Sequence, residues 1–569
     1  MIHIRQNGKK SVEIEIPIRI NELIKEIQQL PNSKGTCLEC GKSITNCQNQ
    51  YHMNQSWVIP ITFAETVVHL TKQYYHTCKV SAVVLETIKQ QKQIKNIVAY
   101  EGSTQLELPG GKLYPFQAVG VSYLEISNGC CMLADEPGLG KSLQLLAFIS
   151  KNNFQSTLVV TPASITFNWA KEAFQWLANL YGEELFSVVR NCKDKIKCKV
   201  NDVEVSILNG GIVSEHALGK ITIISYSLLN KWVSILKKHR WDCVVADEAH
   251  LLKNHLTKRA KLFNEIAQTC SRRVLITGTP IPNKPEDSWS LLNIIDSETW
   301  SNRKQFKKRY NTDDKEILQE LHERLKGHVW IRRLKKDVLK ELPEKISHDV
   351  YLNISDRAIE AYKNLEYEVG TFIAHKGHLL ATDSFARGQA LGHIVKLRSS
   401  LGIAKTEAAL QWLRNLLESV NKVVIFAHHE RVVDAISYEL NALTIKGATL
   451  AADRLEIVNK FQTDPNVRTI VCSILASGTG ITLTAASHVV FVEQSWRAGD
   501  MEQASDRIHR IGQLEKAIVW NLYAINTFDE AMKEVIDYKA KNANIIHNGI
   551  HENNSQIDTL IKYFEKNRK

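Results

Sequence analysis

At 569 residues, 44% hydrophobic and 23% charged, the chain has the composition of a globular protein too long for a single core, so three or four domains are expected. Its start lacks the apolar core of a signal peptide, and no uncharged apolar run approaches the ~18 residues of a membrane span, so neither secretion nor membrane insertion is expected. The net charge of +11 permits a polyanionic partner without proving one, and eleven cysteines with no export signal point to reduced thiols or metal ligands rather than disulfides.

The first part of the chain, residues 1–103, reads as a small α+β domain. "SVEIEIPIRI" alternates like a strand and "NELIKEIQQL" like a short helix. The patch "TCLECGKSITNCQNQYH" then offers Cys37 and Cys40, two residues apart, followed by Cys47 and His52. That set fits a tetrahedral, structural zinc site, with His76 and Cys78 of "YYHTCKV" as rival ligands. Free thiols in a reduced protein are the plain alternative. Residues 80–99 read as another helix, and "EGSTQLELPGGKLYP" as a linker and turn.

From about residue 113, short apolar runs alternate with helical patterns: "CCMLA", "STLVVT", "ITIISY", "CVVAD" and "RVLITG". Runs this short and unalternating suit buried parallel strands covered on both faces by helices. A charged stretch, "IRRLKKDVLKELPEK", reads as a helix ending at a proline. A second set follows in "KVVIFA", "ATL", "RTIVCS", "HVVFVE" and "AIVWNLYAI". The expected architecture is α/β, with two lobes in tandem at 104–335 and 336–546 and a polar helical tail at 547–569.

Three stretches carry chemistry. In "CMLADEPGLGKSLQLLAFI" an apolar run meets a glycine turn and then a helix starting at Lys141. A plain turn needs glycine for φ > 0, but it does not need the lysine and hydroxyl that follow. Backbone N–H groups at a helix start form an anion cradle, and the lysine adds its charge to it. The phosphate-loop spacing is G-x-x-x-x-G-K-[ST], with Asp135 standing at its first glycine. Asp135, Gly138, Leu139, Gly140, Lys141 and Ser142 are therefore the candidate phosphate-side residues. About a hundred residues on, "CVVADEAHLLKN" delivers Asp247 and Glu248 to the carboxyl end of a strand, where one carboxylate can hold Mg²⁺ and the next can orient a water. "SDRIHRIGQ" sets Arg507 and Arg510 three residues apart, on one helix face, where they can act as arginine fingers. Two arginines on a helix are otherwise more often surface charge.

"DEPGLGKS", "DEAH", "LITGTPIPNKPED", "SILASGTGITLTAASHVVFVEQSW" and "QASDRIHRIGQ" occur in this order. Together they closely resemble the Swi/Snf-type ATPases of helicase superfamily two, from about 113 to 530. "VVIFAHHERVVDAI" and "TLTAASHVVFVE" look most like the fork-remodelling, strand-annealing branch. The resemblance implies that the two lobes are RecA-like, that ATP and Mg²⁺ are the cofactors, and a role for each matching position. Gln117 of "LYPFQAVGVSYL" would read adenine, and Lys141, Ser142, Asp247 and Glu248 would serve phosphate, metal and water. Gly278 and Thr279 would link the nucleotide site to the DNA-tracking surface. Thr161 and Pro162, with Ser477, Gly478 and Thr479, would contact nucleic acid. Gly480, Gln503, Arg507 and Arg510 would complete the nucleotide cleft from the second lobe. Pro137, Ser142, Arg497 and Ala498 depart from the usual residues; the first two keep the chemistry intact.

The reading is thus an ATP-dependent motor on double-stranded or branched DNA, gripping phosphates with little sequence preference. Its rivals are a strand-separating DNA or RNA helicase and a non-hydrolysing DNA-binding scaffold. A protein partner of the amino-terminal domain is compatible with the sequence. "RKQFKKR" and "IRRLKKD" are basic stretches that can touch phosphates, and the second can instead form a structural brace. A nuclear-localisation reading of the first leaves the compartment open, with the cytoplasm of a prokaryotic or viral host favoured.

Overall fold

The structure, a computed structural model, describes residues 2–7, 11–16, 21–29, 34–37, 43, 55–60, 64–74, 78–82, 84–85, 88–89, 105–194, 197–211, 213–278, 285–312, 317, 321, 325–326, 329–376, 383–474, 481–496, 498–534, 536 and 563–564. Three large sheets organise them, beside a two-stranded ribbon of Glu107–Leu108 and Gly111–Lys112. The amino-terminal sheet has the strand order Lys34–Cys37, Gln55–Pro60, Ser11–Ile16, Ile2–Asn7, Cys78–Val80. In "SVEIEI" the alternate residues Val12, Ile14 and Ile16 are buried. They share a core with Leu23 and Ile27 of the Asn21–Gln29 helix and Val67 of the Ala64–Tyr74 helix. Period two on the strand and three to four on the helix bury these faces against each other.

The second sheet has eight strands in the order Lys197–Val200, Val203–Ile207, Ile221–Ser225, Thr157–Thr161, Cys243–Asp247, Arg273–Ile276, Cys130–Leu133, Trp330–Ile331. Its first pair is antiparallel and every other pair is parallel. "TLVVT" and "CVVAD" are buried at every position because each strand feeds two cores. Val159 faces one, with Phe148, Trp169 and Phe174, and Leu158 and Val160 face the other, with Trp232 and Phe263. The third sheet is wholly parallel, in the order Lys345–Leu352, Ala517–Ala524, His488–Phe491, Val423–Ala427, Thr469–Ser473, Leu443–Ile445. The chain therefore carries two parallel α/β lobes in tandem and passes from one sheet to the other between Ile331 and Lys345. No helix among the described residues is long and apolar enough to cross a membrane.

Three expected elements differ. "IRRLKKDVLKELPEK" is not one helix: Trp330–Ile331 closes the edge of the first lobe and only Lys335–Val338 is helical. Of its basic residues, Arg332 and Arg333 turn onto the first lobe and Lys335 reaches the second, rather than lining a solvated helix face. The strand expected at "ATL" lies earlier, at Leu443–Ile445, because Thr449 Oγ1 accepts from Lys446 N at 2.9 Å and closes a turn there. Residues 80–99 include the end of a strand at Val80, and helical positions are described at 82, 84–85 and 88–89.

Candidate active site

The phosphate loop leaves the Cys130–Leu133 strand and enters the Lys141–Lys151 helix. Gly138 and Gly140 hold φ of 92° and 73°, a region that penalises any side chain with a Cβ. Space makes the same demand. A Cβ on Gly140 would stand 2.4 Å from Gln117 Nε2, and one on Gly138 would stand 2.8 Å from Arg510 Cγ in the other lobe. Lys141 Nζ donates to the carbonyls of Asp135 (2.7 Å) and Glu136 (3.2 Å). Burial lowers its pKa; Asp135, Glu248 and Asp247 oppose that shift, and Arg510 adds to it.

Asp247 closes the Cys243–Asp247 strand. Its carboxylate accepts from Trp169 Nε1 at 2.8 Å, from Thr161 Oγ1 at 3.4 Å and from Glu248 N at 2.8 Å. Burial, with Glu248 adjacent, raises its pKa to about 6. Glu248 has left-handed backbone angles, φ 49° and ψ 49°, a strain of about 1–2 kcal/mol for a residue with a Cβ. Its Oε2 lies 3.3 Å from His250 Nδ1, which is itself 3.3 Å from Thr277 Oγ1. Burial pushes the Glu248 carboxyl up, but His250, Lys141 and Arg507 together hold it below its ordinary value.

The second lobe supplies two arginines. Arg507 is 3% exposed, and burial, reinforced by Arg510, lowers its pKa to about 9 against the pull of Glu248, Asp506 and Asp247. Arg510 Nε donates to Asp506 O at 3.0 Å and Nη1 to Thr482 Oγ1 at 3.3 Å. The cleft between the lobes has a volume of about 540 Å³. Gln117, Gly138, Lys141, Ser142, Asp247 and Glu248 line it from one side, and Gln503, Arg507 and Arg510 from the other. That is the size of a small-molecule site, walled by the carboxylates and Lys141 of one lobe and by the arginines of the other.

Four positions stand differently from the sequence reading. The Asp135 side chain is fully buried and turns away from the cleft, toward Arg333 Nε (2.9 Å) and Gln144 Nε2 (3.1 Å). Leu139 is also fully buried; its carbonyl accepts from Gln117 Nε2 at 3.2 Å. Gln117 lines the cleft, but its amide is engaged within the lobe, since Oε1 accepts from Tyr114 N at 3.0 Å. Thr161 is fully buried and turned toward Asp247 rather than toward a nucleic-acid surface, while Pro162 is half-buried at the end of that strand. Thr279, Ser477, Gly478, Thr479 and Gly480 lie outside the described residues. So do Cys40, Cys47, His52, His76 and the Cys37 side chain; Cys78 is a half-buried free thiol.

Sequence reasoning missed several contributors. Glu172 lines the cleft and accepts from Asn168 Nδ2 at 3.0 Å. Burial raises its pKa, opposed by hydrogen bonds from Ser142 and Asn168. The face of the Ala451–Thr463 helix carrying Arg454, Leu455 and Val458 forms part of the far wall. Trp169 stands in "FNWAKE", but its hold on Asp247 spans 78 positions, a separation no local pattern reports.

Comparison with known proteins places these lobes. The SNF2-related domain matches residues 75–401 and the helicase conserved C-terminal domain matches 406–512. The mouse DNA annealing helicase and endonuclease ZRANB3 is 30% identical over 467 residues, 78% of this chain and 42% of that protein. The Caenorhabditis elegans homolog of SWI/SNF-related matrix-associated actin-dependent regulator of chromatin subfamily A-like protein 1 is 31% identical over 459 residues, 75% of this chain and 61% of that protein. An uncharacterized ATP-dependent helicase of Mycoplasma pneumoniae is 28% identical over 448 residues, 74% of this chain and 41% of that protein. Among solved structures, the Sulfolobus solfataricus SWI2/SNF2 ATPase core in complex with dsDNA aligns at 25% identity with a TM-score of 0.36, covering 80% of this chain and 96% of that one. The chain spans 42% of the mouse relative and 40% of its human counterpart.

Proposed function

The chain belongs to the SNF2-related family, and from that membership we propose that it is an ATP-driven translocase that remodels duplex or branched DNA. The observation that carries the reading is the cross-lobe approach of Arg510 to the phosphate loop, close enough that a methyl on Gly138 would collide with it. Lys141 and the loop N–H groups would bind the β- and γ-phosphates. Glu248, held ionised by His250, Lys141 and Arg507, would orient the attacking water, and Arg507 and Arg510 would meet the charge developing on the transferred group. Full coordination then needs both lobes, so turnover and release reopen the seam and shift one grip on the DNA relative to the other.

Magnesium fits the donor set. The Ser142 hydroxyl and the Asp247 carboxylate are hard oxygen ligands, and burial makes an ionised Asp247 costly without a cation beside it. When bound, the ion would polarise the phosphates. The names of the relatives, DNA annealing helicase among them, make forked DNA the expected substrate and a nucleic-acid-bearing compartment the expected location. A structural zinc on Cys37, Cys40, Cys47 and His52 stays part of the proposal on sequence grounds, and metal analysis of the purified chain tests it, with stoichiometric zinc expected.

The test is ATPase rate against blunt duplex, fork, single-stranded DNA and RNA, with triplex displacement to report movement. Duplex or fork should stimulate most, and Lys141→Ala should abolish the activity. Stronger stimulation by single strands, with strand separation, would replace the translocase by an unwinding helicase. No hydrolysis under any condition would leave only a DNA-binding scaffold.

A further inference from the structure

The stretch "IRRLK" runs beside the start of the phosphate loop. Ala134 N donates to Ile331 O at 2.8 Å and Glu136 N to Arg333 O at 3.1 Å. Lys335 N donates to Glu136 Oε2 at 2.6 Å, and Arg332 Nη1 donates to the carbonyls of Ala134 (3.0 Å) and Gly278 (2.9 Å). The backbone of Lys335 is thus fixed to the first lobe. Its side chain goes elsewhere: Nζ lies 2.9 Å from Asp506 Oδ1 and 2.8 Å from His509 O. Those two residues bracket Arg507, and the Asp506 carbonyl holds Arg510 Nε at 3.0 Å.

We propose that Lys335 is a positioning residue that sets the register of the Arg507–Arg510 segment against the phosphate loop. This rests on the ATPase reading above and names the side chain through which the two halves of the site are aligned. Asp506 also pairs with Lys345 at 2.8 Å, but Lys345 begins the edge strand of the second lobe, so that pair stays with Asp506 whatever the cleft does. Of the two Asp506 pairs, the one with Lys335 joins an amine fixed to one lobe to a carboxylate in the other. Lys335 is 6% and Asp506 3% exposed, so the contact is dry and directional. The cross-lobe pair Arg190–Glu456, at 2.7 Å, has side chains 67% and 57% exposed and belongs to the class of surface pairs with little effect. Burial lowers the Lys335 amine to about 8 despite the pull of Asp506, with Lys345 and Arg510 adding to the lowering. Desolvation therefore offsets much of the attraction, and the contact contributes alignment rather than adhesion.

The test compares Lys335→Met, Lys335→Arg and Arg190→Ala in the full chain. The backbone bond to Glu136 survives in all three, so the loop keeps its brace. Lys335→Met should lower kcat roughly ten- to a hundredfold, the loss of a charge-assisted hydrogen bond. Affinity for a fluorescent ATP analogue should change by less than about threefold, as the phosphate cradle is untouched. Lys335→Arg, which can still bridge a carboxylate and a carbonyl, should recover most of kcat, and Arg190→Ala should match the parent. Spin labels at the exposed positions Leu256 and Tyr438, one on each lobe, read register without hydrolysis. Their distance distribution should be narrow in the parent and broad in Lys335→Met. Unchanged kcat, an unchanged distribution, or equal losses of affinity and turnover would each overturn the proposal. A parent without ATPase would sink the functional reading instead, and the distance measurement would still decide the role of Lys335.

Discussion

Replacing Arg333 by methionine tests how the phosphate loop is held. Arg333 is 9% and Asp135 0% exposed in their side chains. The guanidinium donates through Nε to Asp135 Oδ1 at 2.9 Å and through Nη2 to Gln144 Oε1 at 2.9 Å, and also reaches Asp135 Oδ2 and the Phe116 carbonyl. Methionine fills much of the volume but strands a buried carboxylate. Removing one partner of a buried pair costs about 3–5 kcal/mol. Two donors to Asp135 survive, the Arg333 backbone N–H at 3.0 Å and Gln144 Nε2 at 3.1 Å. The expected loss is therefore about 2–4 kcal/mol, a large part of a total stability of about 5–15 kcal/mol. Urea unfolding followed by tryptophan fluorescence measures it, with the first-lobe transition shifted and the second-lobe transition in place. Adding Asp135→Asn removes the stranded charge, so the double variant should be more stable than Arg333→Met alone. A single-variant loss under about 1 kcal/mol, or a double variant worse than the single, would refute a buried ion pair as the brace.

Three further outcomes are expected. Glu248→Gln should bind ATP normally, accumulate in the closed form and turn over at least about a hundredfold more slowly, read by nucleotide binding beside single-turnover hydrolysis. Trp169→Phe deletes the 2.8 Å hydrogen bond to Asp247 and should cost about tenfold in kcat at unchanged fold, since a hydrogen bond to a charged group contributes about 1.5–3 kcal/mol. His428, whose pKa burial lowers to about 4 with help from Arg398 and His429 and against Glu493, gives a pH-dependent term. Between the unfolded value near 6.5 and 4 only the unfolded chain takes the proton, so stability falls with acid through that window. Between pH 7.5 and 5 the parent should lose about 1 kcal/mol more than His428→Gln, after discounting for partial exposure; equal losses in denaturant titrations would exclude His428 as the source.

What could be read from the sequence was what is encoded locally. Glycines at 138 and 140 announce a positive-φ loop because glycine adopts that backbone without the strain a Cβ brings, and "CVVAD" announces a buried strand because both its faces are covered. The Lys345–Leu352 strand escaped notice because it lies at a sheet edge. Its exposed positions leave "KISHDVYL" without an apolar run. Asp135 was legible as part of the loop but not as the partner of Arg333, 198 positions away. The placement of the Thr161 side chain was out of reach for a related reason, since a hydroxyl at the end of an apolar strand can face solvent or a neighbouring strand, and only the adjacency of Thr157–Thr161 to Cys243–Asp247 decides.

The charges of the seam bear on which state the protein favours. Lys141, Arg507 and Arg510 are all shifted toward their neutral forms by burial, and Asp247 and Glu172 likewise. Closing the lobes therefore desolvates three cations against three carboxylates, Glu248 included, and like charges worsen matters, Arg507 with Arg510 and Asp247 with Glu248. On the proposed reading, a polyphosphate between Lys141 and the arginines would add negative charge where the cations crowd, and a divalent cation at Asp247 would add positive charge where the carboxylates do. Both would stabilise the closed arrangement more than an open, hydrated one. A ligand shifts a conformational equilibrium only by its differential affinity for the two states, and here that difference comes from the same buried groups that would perform the hydrolysis. Closure and chemistry would then be coupled through one set of side chains, so loss of the γ-phosphate would weaken the force that holds the lobes together.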